Sequence, residues 1–169
     1  MTDNTDITTD QPVEDVVAEP VTAGVVETEQ VVAFYLEKQR YALPIERVQE
    51  IQQIVAFSEV PGGGAGIVGM VNLRGEVIPA VDMRRIVGLT PQEYTLETPM
   101  IICHVAGRLI AIVVDEVQDV LILPPDCMQE APSMHSLASK MIGVARLADG
   151  LVYVFDVDKL LGATVSGGW

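Results

Sequence analysis

Residues 66–88, GIVGMVNLRGEVIPAVDMRRIVG, have a second version near the end of the chain, residues 140–162, KMIGVARLADGLVYVFDVDKLLG. At a constant offset of 74, Gly69 aligns with Gly143, Leu73 with Leu147, Asp82 with Asp156 and Gly88 with Gly162. Upstream, Arg47-Val48-Gln49-Glu50-Ile51 returns as Glu116-Val117-Gln118-Asp119-Val120 at an offset of 69, so the copies differ by a few residues of loop. A fixed-period repeat means one supersecondary unit built twice. Function is then expected where the copies disagree.

The repeated unit reads as β structure. Hydrophobic residues make up 49% of the 169 but aromatics only 5%, with valine and isoleucine throughout, which suits strands rather than amphipathic helices. A chain of this length buries enough surface to need no metal or disulfide staple. Cys103 and Cys127 lack C-x-x-C spacing and sit in apolar contexts, as buried free thiols of a reducing compartment would. The formal charge is −14, and the 10 Lys and Arg are scattered, which argues against nucleic acid and against direct binding to anionic membrane. With no signal-peptide build and no long apolar run, the sequence predicts a cytoplasmic protein.

Residues 1–30 hold eight carboxylates (Asp3, Asp6, Asp10, Glu14, Asp15, Glu19, Glu27, Glu29) and no Lys or Arg, leaving −6 on the remainder. They read as a disordered acidic tail. Residues 31–163 form the folded domain, and 164–169, ending in Trp169, a flexible end. Strands are predicted at 31–36, 40–44, 67–71, 77–81, 100–105, 109–114, 116–123, 141–147 and 151–155, with a looser alternation over 45–55. Helical turns at 83–87 and 157–161 are N-capped by Asp82 and Asp156 and ended by Gly88 and Gly162, and a short helix is expected over 133–139. Turns every 8–12 residues and the duplication predict two small β-barrels packed through an apolar seam, since closure removes exposed edges.

Few constellations carry chemistry. The run 61–66 lacks the G-K-[ST] ending of a phosphate loop. His104 and His135 have no partner at zinc-ligand spacing, and no serine has a nucleophile elbow or a base. Asp82 and Asp156 are explained as caps, and Asp115 and Asp119 as turn residues. No catalytic group, metal or cofactor is therefore expected. The turn Asn72-Leu73-Arg74-Gly75 stands apart, because the second copy has Arg146-Leu147-Ala148-Asp149 there. Arg74 either forks onto a partner's carboxylates or carbonyls, or pairs within the chain with Glu76 or Glu50.

The succession R-V-Q-E-I, G-M-V-N-L-R-G-E-V-I-P-A-V-D-M-R, I-V-V-D-E-V-Q-D-V and I-G-V-A-R-L-A-D-G resembles the CheW family of chemotaxis coupling proteins over roughly residues 31–162. The resemblance implies two five-stranded β-barrels about an internal pseudo-twofold. It implies a non-catalytic adaptor that joins the regulatory domain of a CheA-type histidine kinase to the cytoplasmic helical tip of methyl-accepting chemoreceptors. It further implies recruitment to membrane-associated receptor arrays, with ring assemblies among the possibilities. Carried over residue by residue, the partner-binding positions are Val48, Glu50 and Arg74, with Met100 and Val120 further along. On this expectation the seam between the barrels is a groove for a receptor helix. The alternatives are a coupling protein for a non-flagellar system serving pili or development, and a small-ligand-binding β-barrel. The glycine-rich 61–66 loop, the acidic tail and the Trp169 end depart from the family pattern.

Overall fold

Runs of β-branched residues extend as strands, and the two-residue turns between them set the pairing. The computed structural model describes residues 29–54, 57–60 and 66–166; the expectations for the tail before residue 29, for the loop at 61–65 and for Trp169 lie outside the described residues. In chain order the elements are β1 (Glu29–Leu36), β2 (Gln39–Pro44), β3 (Val48–Gln53), β4 (Phe57–Glu59), β5 (Ile67–Leu73), β6 (Glu76–Asp82), α1 (Met83–Val87), β7 (Pro99–Val105), β8 (Arg108–Val113), β9 (Glu116–Leu123), β10 (Met128–Gln129), β11 (Met141–Leu147), β12 (Gly150–Phe155) and α2 (Val157–Ser166). The expected helix over 133–139 is instead a series of turns leading into a 3-10 turn, Ala138–Lys140.

Among the described residues two six-stranded sheets form, ordered β10-β11-β12-β2-β1-β9 and β3-β7-β8-β6-β5-β4. Exchanging the first six strands with the last six turns one order into the other, so the repeat is a structural pseudo-twofold. Each sheet has six strands rather than the expected five; the added β4 and β10 are three and two residues long, too short to show a pattern. Neither sheet belongs to one half of the sequence. Hairpin β1–β2 joins β9–β12, and hairpin β7–β8 joins β3–β6, through the parallel contacts β12–β2 and β6–β8.

The exchanged hairpins are buried on both faces. On β7, Ile101, Cys103 and Val105 face a core shared by the two sheets, where they meet Phe34, Leu36, Tyr41 and Phe155. Met100 and Ile102 face the interior of their own sheet with Val71, Leu73 and Ile78. The interior of the seam is therefore filled by close-packed side chains, and where the two sheets meet at the surface an open cleft is lined by Ile51, Gln52, Gln53 and Pro99 on one side and Glu116 and Val117 on the other. Cys103 and Cys127 are buried and free, and burial pushes the Cys103 thiol up to about 12.

Helix caps hold the corners. Asp82 accepts the Arg84 N–H at 2.9 Å and Gly88 closes α1 at φ 85°. Asp156 accepts the Lys159 N–H at 3.2 Å. The second helix runs through Gly162 to Ser166, past the expected stop and into the supposed flexible end, because buried Leu160, Leu161 and Thr164 keep it packed. Strand β1 likewise starts at Glu29, inside the expected tail. Where β8 crosses to β9, the buried Arg84 guanidinium clamps Asp115 (2.7 and 2.6 Å) and donates to the Thr90 carbonyl at 2.8 Å, while the Glu37 N–H donates to Asp115 at 2.7 Å.

Candidate partner-binding surface

Among the described residues, strand β3 is the last strand of its sheet and one of its edges is open. Its pairing with β7 slips between Val48 and Glu50, which makes Gln49 a bulge residue and re-aims Glu50. The same slip recurs in β9, between its partners Val117 and Asp119, with Gln118 in the place of Gln49. Glu50 and Gln52, two apart on a strand, share a face.

The turn between β5 and β6 brings the other half of the site. Arg74 and Gly75 are its central residues, at φ 52° and 88°, and the Asn72 side chain accepts the Gly75 N–H at 2.9 Å. The left-handed region is costly for arginine, by about 1–2 kcal/mol, where glycine or asparagine would be tolerated. The sheet curls so that this turn reaches β3. Arg74 Nη1 and Nη2 donate to Glu50 Oε2 and Oε1 at 2.6 and 2.7 Å, a bidentate fork, and Gln52 Nε2 donates to Oε1 at 2.6 Å. These donors, Arg74 first, hold the Glu50 carboxyl down at about 2. Of the pairings left open by the sequence, the one with Glu50 is realised.

The fork is presented rather than hidden. The Arg74 side chain is 67% exposed against 21% for Glu50, so the carboxylate is the seated member and the guanidinium the outward one. In the second copy the arrangement differs. Ala148 replaces Arg74, and Asp149 beside it receives a fork from Arg40 (2.8 and 3.2 Å), whose own side chain is buried. Asp119, the counterpart of Glu50, accepts from the adjacent Val120 N–H instead.

The expected positions therefore divide. Val48, Glu50 and Arg74 gather around the β3 edge, with Val48 half-buried against the shared core. Val120 lies on β9 of the other sheet and is 44% exposed, matched by Ile51 at 45% on β3, its counterpart at the offset of 69. Met100 is corrected as a contact: it is 0% exposed within its sheet's interior, so no partner atom reaches it. Residue-by-residue reasoning missed Gln52, which the period of two from Glu50 marks, and Ile51 and Ile122, which stand out on open edges. Among the described residues no three His, Cys, Asp or Glu side chains converge as metal ligands. The chemistry on offer is recognition: a charged fork beside apolar edge positions.

The family model described as "CheW-like domain" matches residues 30–165. Similar curated proteins include the chemotaxis protein CheW of Bacillus subtilis, 31% identical over 112 residues that cover 66% of this chain and 72% of that one. The chemotaxis protein CheW of Klebsiella aerogenes is 29% identical, over 83% of this chain and 86% of its own. Among solved structures, the scaffolding protein TtCheW of Thermoanaerobacter tengcongensis superposes with a TM-score of 0.72 at 24% identity, over 80% of this chain and 93% of its own.

Proposed function

The chain belongs to the CheW family, and from that premise we propose that it works as a non-catalytic coupling adaptor of chemotaxis signalling, holding a histidine kinase under chemoreceptor control. The observation that carries the reading furthest is the Glu50–Arg74 fork, exposed on one copy of a duplicated scaffold and absent from the other. A symmetric fold with one asymmetric charged site suits a protein that must hold unlike partners in fixed orientation, since charge complementarity sets register and excludes wrong partners.

In this reading Glu50 and Arg74, with Gln52 and Ile51, form the contact surface on β3, and Val48 anchors it from below. Val120 serves a second contact on β9. The partners are the regulatory domain of a CheA-type kinase and the helical tip of chemoreceptors. The protein acts in the cytoplasm and is drawn to the membrane by the receptors it binds; no helix among the described residues is long and apolar enough to cross a membrane. The test is reconstitution of the purified chain with a CheA-type kinase and receptor fragments, measuring co-sedimentation and kinase output. Neither co-sedimentation nor a change in kinase output would refute the adaptor reading.

A further inference from the structure

Arg47 and Glu50 stand on either side of the Gln49 bulge, and each is held by a bidentate ion pair. After the bulge the hold is the Arg74 fork on Glu50. Ahead of it, Arg47 ends the 3-10 turn Ile45–Arg47 that leads from β2 into β3. Its Nη1 donates to Asp158 Oδ1 at 3.2 Å and to the His104 carbonyl at 3.4 Å, and its Nη2 donates to Asp158 Oδ2. Asp158 is the second residue of α2. That helix is seated by Leu160 and Leu161, which are buried in the shared core with Cys103 and Val105. A packed element of the second copy thus grips the entry to the contact strand of the first.

The second copy serves as an internal comparison. At the offset of 69 Glu116 takes the place of Arg47, and at the offset of 74 Ala148 takes that of Arg74, so the Gln118 bulge has neither arginine. The counterpart of Asp158 is Arg84, which grips Asp115 just before β9. The helix-to-strand pair is therefore built twice with its charges exchanged, but in different surroundings. The Arg84 and Asp115 side chains are 6% and 21% exposed, those of Arg47 and Asp158 36% and 48%. A pair so exposed contributes little to stability. What it supplies is a constraint on the backbone beside the fork, and a recognition group is only as well placed as the residues that hold it.

We propose that Asp158 is a positioning residue for the contact surface on β3: through Arg47 it fixes the entry to the bulge, and with it the direction in which Glu50 and Arg74 are presented. The last helix thereby joins the site without making a contact of its own. The effect on partner binding rests on the proposed function; the effect on the fork does not.

The test reads the fork first, without a partner. Exchange of the Arg74 guanidinium protons with solvent, followed by NMR, is expected to quicken about threefold or more in Asp158→Ala, while that of the Arg84 guanidinium protons stays as it is. Loosening of the whole fold would move both. Asp158→Glu, which keeps the pair, should exchange like the parent chain. Arg47→Ala should match Asp158→Ala, and combining the two should add nothing, because the one acts through the other. Unchanged Arg74 exchange in Asp158→Ala, or additive effects of the two substitutions, overturns the proposal. The melting temperature of Asp158→Ala should fall by no more than about 3 °C; a larger fall assigns the pair to stability and overturns it as well. Affinity for the kinase regulatory domain is measured separately. A loss of about threefold with faster Arg74 exchange supports the positioning role; a loss with unchanged exchange makes Asp158 a direct contact and overturns it. Faster exchange with unchanged affinity upholds the positioning of the fork and removes the fork from the proposed contacts.

Discussion

Arg84→Met offers a direct measure of what holds the crossing between the sheets. Methionine keeps most of the buried stem while removing two hydrogen bonds to Asp115, one to the Thr90 carbonyl and a longer one, 3.3 Å, to the Glu37 carboxylate. Asp115 is left with the Glu37 N–H as its remaining donor. Breaking a buried ion pair by removing one partner costs about 3–5 kcal/mol. The Arg84 side chain is 6% exposed but that of Asp115 is 21%, so water still reaches the abandoned carboxylate and the lower end applies, about 3 kcal/mol. For a domain of this size that lowers the melting temperature by roughly 6–12 °C. Urea unfolding at neutral pH should show the midpoint falling with the slope unchanged. Adding Asp115→Asn removes the stranded charge and should restore more than about 1 kcal/mol. A loss for Arg84→Met below about 1 kcal/mol, with no rescue by Asp115→Asn, refutes the clamp as a stabilising element.

Three further outcomes are expected. Arg74→Glu should weaken kinase or receptor binding about thirtyfold or more, and the swap Glu50→Arg with Arg74→Glu should restore folding stability but not binding; recovery of both would make the fork purely structural. Titrating the Glu50 carboxyl by NMR should give a midpoint near 2 that Arg74→Ala returns toward the ordinary 4.5. Because the folded value is depressed, the stability it contributes is complete above 4.5 and is lost as the pH falls through 2; a midpoint near 4.5 in the unmutated chain would exclude the fork in solution. Gly143→Ala would set a methyl 2.6 Å from the Gln129 carbonyl oxygen, a backbone atom, so β10 must shift. The expected loss is about 1–3 kcal/mol, read by thermal melting.

Much of the fold is legible from the residues. Strand β9 runs over the predicted 116–123 because Asp115 and Pro124 bound it, and α1 over 83–87 because Asp82 and Gly88 do. The misreadings have physical causes. A run such as Met100-Ile101-Ile102-Cys103 has no polar alternation, so nothing in it says that Met100 points into its own sheet while Ile101 faces the shared core. Gly162 carries a stop signal that packing by Leu160 and Leu161 overrides. The mismatch between Arg74 and Ala148 marks the site, but which carboxylate Arg74 grips depends on the bulge at Gln49 and the curl of the sheet, neither of which is a local property. The repeat likewise says that the copies are alike without saying which copy's hairpin completes which sheet.

That exchange of hairpins also orders events in time. The sheet built on β3 has all its strands once the chain has been made as far as Val113, the end of β8. The sheet built on β1 and β2 lacks its neighbours until β9 ends at Leu123 and β12 at Phe155. The first hairpin to be synthesised is therefore the last to be enclosed. During most of translation its two apolar faces wait for strands that do not yet exist, which is the interval in which such surfaces find wrong partners.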